Sequence, residues 1–455
     1  MILPRKILAI FVILLMFSTI AHSISARNQN LNLESENLTF LKKSYLKKID
    51  DLKIVYLNGS FYEMGYQKGS LLKNEIIQNI RAFLEDIDNY DELLEQWNRE
   101  KKYTAKKILD FIDGIANAIG IENNTMGCIW IWDSYLYGKM NNPWNNQFFD
   151  HCCTFAAFGS ATLSGELIHG HSFDMNIDVK DPITGTNILE NPVIIVCDPD
   201  KENSFVYPSF PGFIASGGVN EKGISISMTG SFNNDEKLNG SSYNTRIFEA
   251  LYSSSDIKKA IDVITRNETY GLNYLISNGY KSKSYIVEQT ANITYIGTWN
   301  NTVESNYPFF EMENVLRRTN LFINRKTAEK QRKYFHPADL RYLFSGKVLL
   351  SYPWFHYKAL SKGLEKNRGN LDFKKTMEMF RDVYDGKYNL IWHLFRLMKN
   401  KPIPWFQWAC CPKTGDMIIS FTGLEKNQNF NRIYNLNLSR ILKKDYFSRS
   451  FVIKS

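Results

Sequence analysis

Six cysteines in 455 residues are too few and too scattered for a disulfide-built scaffold. They stand at Cys128, Cys152, Cys153, Cys197, Cys410 and Cys411, and bridges among Cys128, Cys197 and one of Cys410 or Cys411 stay open. After the N-terminus no run is apolar enough to cross a bilayer. A formal charge of +8 on a chain this long indicates no strong charged partner and gives no basis for nucleic-acid binding. Internal repeats and low-complexity tracts are absent. The spacing of His151, Cys152, Cys153, His169 and His171 matches no structural zinc pattern, and no papain-like signature surrounds any cysteine. No metal and no cofactor is therefore expected.

What is present is ample core material, with 44% of residues hydrophobic. Arg5 and Lys6 precede the apolar run Ile7 to Phe17, and small residues follow at Ala21 and Ser23, the layout of a secretory signal over residues 1–23. An uncleaved anchor is the competing reading, with a run short for a bilayer span. Removal of the signal takes the charge from +8 to +6 (8 − 2, for Arg5 and Lys6). Sequons at Asn37, Asn58, Asn123, Asn239, Asn267, Asn292, Asn300 and Asn437 fit a secreted or lysosomal glycoprotein. Arg440, Lys443, Lys444, Arg449 and Lys454 make a basic C-terminal segment, either a solvated face or a peripheral contact with an anionic membrane surface.

The stretch that organises the chain runs His151-Cys152-Cys153-Thr154-Phe155-Ala156-Ala157 and on to Gly170-His171-Ser172-Phe173-Asp174. Apolar runs on either side of Ser164-Gly165 predict a β-hairpin that starts at the cysteine pair and ends at an aspartate. Upstream, a strand from Leu52 leads into Gly59-Ser60-Phe61-Tyr62-Glu63-Met64-Gly65 and Gly69, whose glycines read as helix-packing contacts. Residues 85–140 have a helical pattern, and the polar stretch 139–149 is a loop of the kind an internal cleavage point needs. Further strands are expected at Val193–Val196, Ser204–Tyr207, Ile224–Met228, Tyr285–Glu288 and Ile293–Gly297, helices near 245–252, 257–265 and 370–396, and a closing hairpin over 405–421.

The motif Cys152-Cys153-Thr154-Phe155-Ala156-Ala157 followed by Gly-x-x-x-Asp at Gly170 to Asp174 resembles the linear-amide C–N hydrolases of the N-terminal-nucleophile (Ntn) superfamily. These include penicillin acyltransferase-like peptidases, bile salt hydrolases and acid ceramidase. The Gly59 to Gly69 pattern, the turn Asn220-Glu221-Lys222-Gly223 and Arg318-Thr319-Asn320 resemble further segments of that group, over most of residues 52–425. Periodicity alone gives only an α+β class. The resemblance implies a four-layer αββα sandwich with an N-terminal helical prosegment, divided as signal peptide 1–23, prosegment or α chain 24–151 and catalytic β chain 152–455. It also implies self-cleavage before Cys152, after which the two chains stay associated.

A cysteine at a free N-terminus carries its own base, because a thiol near 8.5 and an α-amine near 8 are closely matched. By the resemblance the nucleophile is followed by two small residues, which assigns Cys152 and leaves Cys153 as a core thiol; alternation allows only one of the two to face a site. The resemblance further implies that Asp174 hydrogen-bonds the nucleophile and that Asn320 supplies an oxyanion donor. A second donor is expected from the backbone between Met228 and Gly230, although the group often has asparagine where Gly230 stands. Arg332 aligns with a further site arginine. His171 stands where bile salt hydrolases carry arginine, and is either a cation at acidic pH or a neutral hydrogen-bonding residue. The expected activity is hydrolysis of a small-molecule or lipid amide, such as ceramide, or transfer of its acyl group. The alternative is a secreted glycoprotein that keeps the fold as a non-catalytic binding module.

Overall fold

The computed structural model describes residues 39–85, 87–139, 152–175, 179–213, 216–231, 233–331, 352–397, 403–422, 432–442 and 450–452. The signal region, His151 and the loop before it, and Arg332 lie outside the described residues. Two compact units form, one from Met1–Tyr135 with Asp178–Glu202 and Ser209–Ile214, the other from Leu136–Ile177, Asn203–Pro208 and Ala215–Ser455.

In the first unit β2 (Leu52–Gly59) lies between β1 (Tyr45–Ile49), paired antiparallel, and β5 (Val193–Pro199), paired parallel from Lys53↔Val193 to Gly59↔Pro199. A division at Cys152 thus runs through one unit, since β5 follows that point in sequence. Helix α1 (Phe61–Leu71) starts where it does because Ser60 accepts from the Glu63 amide at 3.2 Å while Glu63 accepts from the Ser60 amide at 2.6 Å. The glutamate of the glycine-rich segment is therefore a helix cap. Its glycines pack α1 against α4 (Lys106–Ile119): a Cβ on Gly65 would stand 2.1 Å from the Phe111 carbonyl oxygen. Among the sequons, Asn123, Asn239, Asn267, Asn292 and Asn300 are exposed, whereas Asn58 is half-buried and donates to the Asp198 carbonyl at 2.9 Å.

The second unit holds two sheets. One orders β6 (Phe205–Ser209), β7 (Gly217–Asn220), β8 (Ile224–Gly230), β9 (Leu272–Asn278), β10 (Lys283–Gln289) and β11 (Thr294–Gly297). The other orders β12 (Val315–Arg318), β3 (Cys153–Ala157), β4 (Ile168–Met175), β13 (Ile403–Cys411), β14 (Asp416–Phe421), β15 (Arg432–Asn437) and β16 (Ser450–Val452), every pair antiparallel. Helices α6 (Tyr243–Ser253) and α7 (Ile257–Ile264) pack on the first sheet, and α8 (Tyr352–Lys366) and α9 (Phe373–Tyr384) on the second. The layers are helix, sheet, sheet, helix.

Side-chain alternation along β3 separates two interiors. Cys153, Phe155 and Ala157 join Ala359, Leu360, Phe380, Val383 and Tyr384 between sheet and helices. Ala156 joins Leu275, Ile286 and Leu316 between the sheets. The bridges considered from the sequence are not formed: all six cysteines are buried thiols. Among the described residues no helix is long and apolar enough to cross a membrane.

Candidate active site

Pairing within the second sheet sets the direction of the two adjacent thiols. Cys153 stands opposite Ser172 and points into the helix-side core, where burial pushes its thiol well above the ordinary value and the Asp174 charge adds to the effect. Cys152 stands one residue before β3, where alternation predicts the opposite face. Its Sγ sits 3.5 Å from the Asp174 amide, which donates to it, and donates in turn to the Asp174 carbonyl at 3.6 Å. The side chain is fully buried.

Asp174 therefore meets the Cys152 thiol through its backbone. Its carboxylate lies on the Cys153 side, accepting from Ser172 Oγ at 2.5 Å and from the Tyr384 hydroxyl at the end of α9. Gln407 on β13 donates to Ser172 Oγ at 3.1 Å, so three elements hold this carboxylate. Burial and the Asp174 charge raise the Tyr384 phenol well above its usual range, which keeps it a donor.

His171 faces the inter-sheet space with no exposure. Its Nε2 is 2.8 Å from the Met228 carbonyl, which can only accept, so Nε2 carries the proton. Nδ1 has no partner among the described residues. Burial pushes the imidazole down to about 3 against the opposing effect of the Met228 bond, so His171 is neutral across ordinary pH. Phe173, Phe406 and Trp408 surround it with ring centroids 5.6 to 6.5 Å away.

Asn320 lies two residues past β12. The β12–β3 ladder pairs Val315 with Ala157 and Arg318 with Thr154 and ends there, two residues short of Asn320. The Asn320 side chain is only 6% exposed, yet neither its oxygen nor its nitrogen has a partner among the described residues. A buried amide left unpaired is costly. Arg318 fixes the approach to it, fully buried between Glu288 (3.0 Å) and Glu304 (3.1 Å). Glu288 also takes the amides of Ile323 and Asn324 at 2.9 and 3.0 Å, tying down the chain beyond. The backbone from Met228 to Gly230 belongs to β8, where these residues pair with Tyr274, Asn273 and Leu272.

Several neighbours were not singled out from the sequence. His169 is bonded on both nitrogens, to Ser227 Oγ at 2.6 Å and to Ser225 and Ser277 hydroxyls at 2.7 and 3.0 Å, and Ser227 reaches Thr154 Oγ1 at 2.5 Å. The signal was the alternation of β8: Ile224 and Ile226 share one face, so Ser225 and Ser227 share the other, and that face is inward. Thr229 continues that face, whereas Tyr384, Gln407 and Asn273 carried no local signal. Among the described residues no group of three or more His, Cys, Asp or Glu side chains gathers as a metal site.

No family model matches the chain. Among curated proteins it is 22% identical over 272 residues to Protein dcd1A of Dictyostelium discoideum, covering 52% of this chain and 59% of that protein. It is 26% identical over 199 residues to an uncharacterized protein of Archaeoglobus fulgidus, covering 38% of this chain and 32% of that one. The match thus spans less than two thirds of either relative. Similar solved structures include a conjugated bile acid hydrolase from Clostridium perfringens (13% identity, TM-score 0.42, 67% of this chain and 97% of that chain). Penicillin V acylase from Agrobacterium tumefaciens is another (13% identity, TM-score 0.39, 64% and 87%). The chain's own two-sheet, helix-flanked sandwich is the α+β architecture that the resemblance to the linear-amide Ntn hydrolases implies.

Proposed function

We propose that this chain is a cysteine amidase of the Ntn type, activated by cleavage between His151 and Cys152, acting on linear amides by hydrolysis or acyl transfer. The observation that carries the reading is the Cys152 thiol held between the Asp174 amide and carbonyl, with the buried Asn320 amide, unpartnered among the described residues, two residues past the strand that pairs with β3. In maturation the thiol attacks the His151 carbonyl, the chain passes from nitrogen to sulfur, and water releases Cys152 with a free amine. The parallel β2–β5 ladder would keep the two chains together after the cut.

In turnover the Cys152 amine takes the thiol proton and the thiolate attacks the substrate carbonyl. The developing oxyanion is stabilised by the Asn320 amide. Collapse expels the amine, which leaves with the proton, and water then hydrolyses the S-acyl enzyme to the acid and restores the thiol. His171 is a neutral member of the site wall, and Arg332 is a further candidate outside the described residues. Phe173, Phe406 and Trp408 on the Cys152 side favour an apolar acyl group, so lipid amides such as ceramide or an N-acylethanolamine lead the substrate class. Export through the secretory route completes the reading.

The test is incubation of the mature protein with N-palmitoylethanolamine, a ceramide, a glycine-conjugated bile acid and penicillin V, following the released acid by mass spectrometry. Release from at least one amide that disappears in Cys152→Ala is expected. A correctly cut protein that releases acid from none of them, or release that survives Cys152→Ala, contradicts the proposal.

A further inference from the structure

The Asn320 amide can act as a donor only if the irregular segment carrying it is rigid, because it follows the last residue of β12 and has no ladder of its own. Two side chains from the facing sheet supply that rigidity. Asn273 on β9 directs its Nδ2 to the Thr319 carbonyl at 3.1 Å and to the Leu321 carbonyl at 3.2 Å, the two carbonyls that flank Asn320. Thr229 on β8 donates to the same Thr319 carbonyl at 2.9 Å and accepts from Asn273 Nδ2 at 3.1 Å. Thr229 and Asn273 are cross-strand partners, so one ladder rung provides both.

The orientation of the Asn273 amide follows from its surroundings. All three neighbours of Nδ2 are acceptors there, two carbonyls and a hydroxyl that has given its proton to Thr319, so the NH2 group must face them. The Asn273 Oδ1 has no partner among the described residues. Both side chains are fully buried, as is Thr319. An asparagine in the middle of a sheet interior is an expensive way to fill space, and its donors meet the two carbonyls on either side of Asn320 and the Thr229 hydroxyl bound to one of them.

We propose that Asn273, with Thr229 beside it, is the positioning residue of the oxyanion donor: it fixes the backbone on both sides of Asn320 so that the Asn320 amide meets the developing oxyanion. The inference rests on the reading of Asn320 given above. Asn273 itself touches no reacting atom, so its effect belongs to the transition state and leaves substrate binding alone.

The experiment measures kcat and KM for the amide of the panel that the wild-type enzyme turns over fastest. Asn273→Ala is expected to lower kcat about tenfold or more with KM within about twofold, since a small misplacement of a donor forfeits much of its effect. Thr229→Val, which keeps shape and loses the hydroxyl, is expected to lower kcat less, and Thr229→Ser to restore it. In an Asn320→Ala background neither Asn273→Ala nor Thr229→Val is expected to slow kcat further, because the donor they position is gone. Wild-type kcat in Asn273→Ala, a change in KM alone, or losses that multiply in the Asn320→Ala background overturns the inference. If Asn273→Ala does not fold, the Thr229→Val and Thr229→Ser pair decides by the same criteria. Asn320→Ala at wild-type rate overturns the oxyanion reading and this inference together; a slow Asn320→Ala beside a normal Asn273→Ala and Thr229→Val overturns this inference only.

Discussion

Replacing His171 with glutamine should make the protein less sensitive to acid. The native imidazole is held at about 3 by burial, against an ordinary 6.5 in the unfolded chain. Between those two values the unfolded state binds one more proton than the folded state, so folding stability falls as pH falls. Each unit of pH in that window is worth about 1.4 kcal/mol, which gives about 2 kcal/mol lost at pH 5 and about 5 kcal/mol below pH 3. Glutamine keeps an N–H that can reach the Met228 carbonyl and has no proton to gain. His169, pushed down by burial and by the neighbouring His171, stays in both proteins. Urea unfolding at pH 7 and pH 5 supplies the assay: the wild-type protein should lose about 2 kcal/mol more than His171→Gln on acidification. Parallel losses in the two proteins would refute the reasoning, and would mean that His171 is charged or exposed in the folded state. The same neutrality predicts that kcat/KM between pH 5 and 8 carries no limb belonging to His171.

Asn320→Ala should cut kcat by about 10²-fold to 10³-fold with folding intact by circular dichroism, and a near-normal rate would remove it from the site. Arg318→Met leaves Glu288 and Glu304 buried without their cation; a loss of about 3 to 5 kcal/mol in chemical denaturation is expected, and a neutral result would show that the carboxylates are protonated or solvated. Gly65→Ala places a Cβ against the Phe111 carbonyl, so a thermal scan should show lower stability by about 1 to 3 kcal/mol, with unchanged stability indicating that α1 and α4 separate easily.

Local features of this fold were legible where residue type and period coincide. The hairpin from Cys153 to Met175, the strand from Leu52, the glycine contacts of α1 and the closing hairpin at Ile403–Phe421 all follow from alternation and turn chemistry. Strand β9 did not, because both of its faces are buried: Tyr274 and Ile276 face one way while Asn273, Leu275 and Ser277 face the other, which erases the polar-apolar period. The parallel pairing of β2 with β5 and the β12–β3 ladder that ends two residues before Asn320 join residues more than a hundred apart, and no local pattern encodes them. The candidate site was proposed from residue types in a recognisable order. Its supports Tyr384, Gln407 and Asn273 became visible only as partners of particular atoms.

The central claim is that Cys152 becomes an N-terminus, and intact-mass spectrometry of the purified protein tests it most directly. Two chains are expected, the second beginning at Cys152 and ending at Ser455, with Cys152→Ala remaining uncut and Cys153→Ala cut as the wild type. An uncut wild-type protein that still hydrolyses an amide, or a cut that survives Cys152→Ala and is lost in Cys153→Ala, would contradict it.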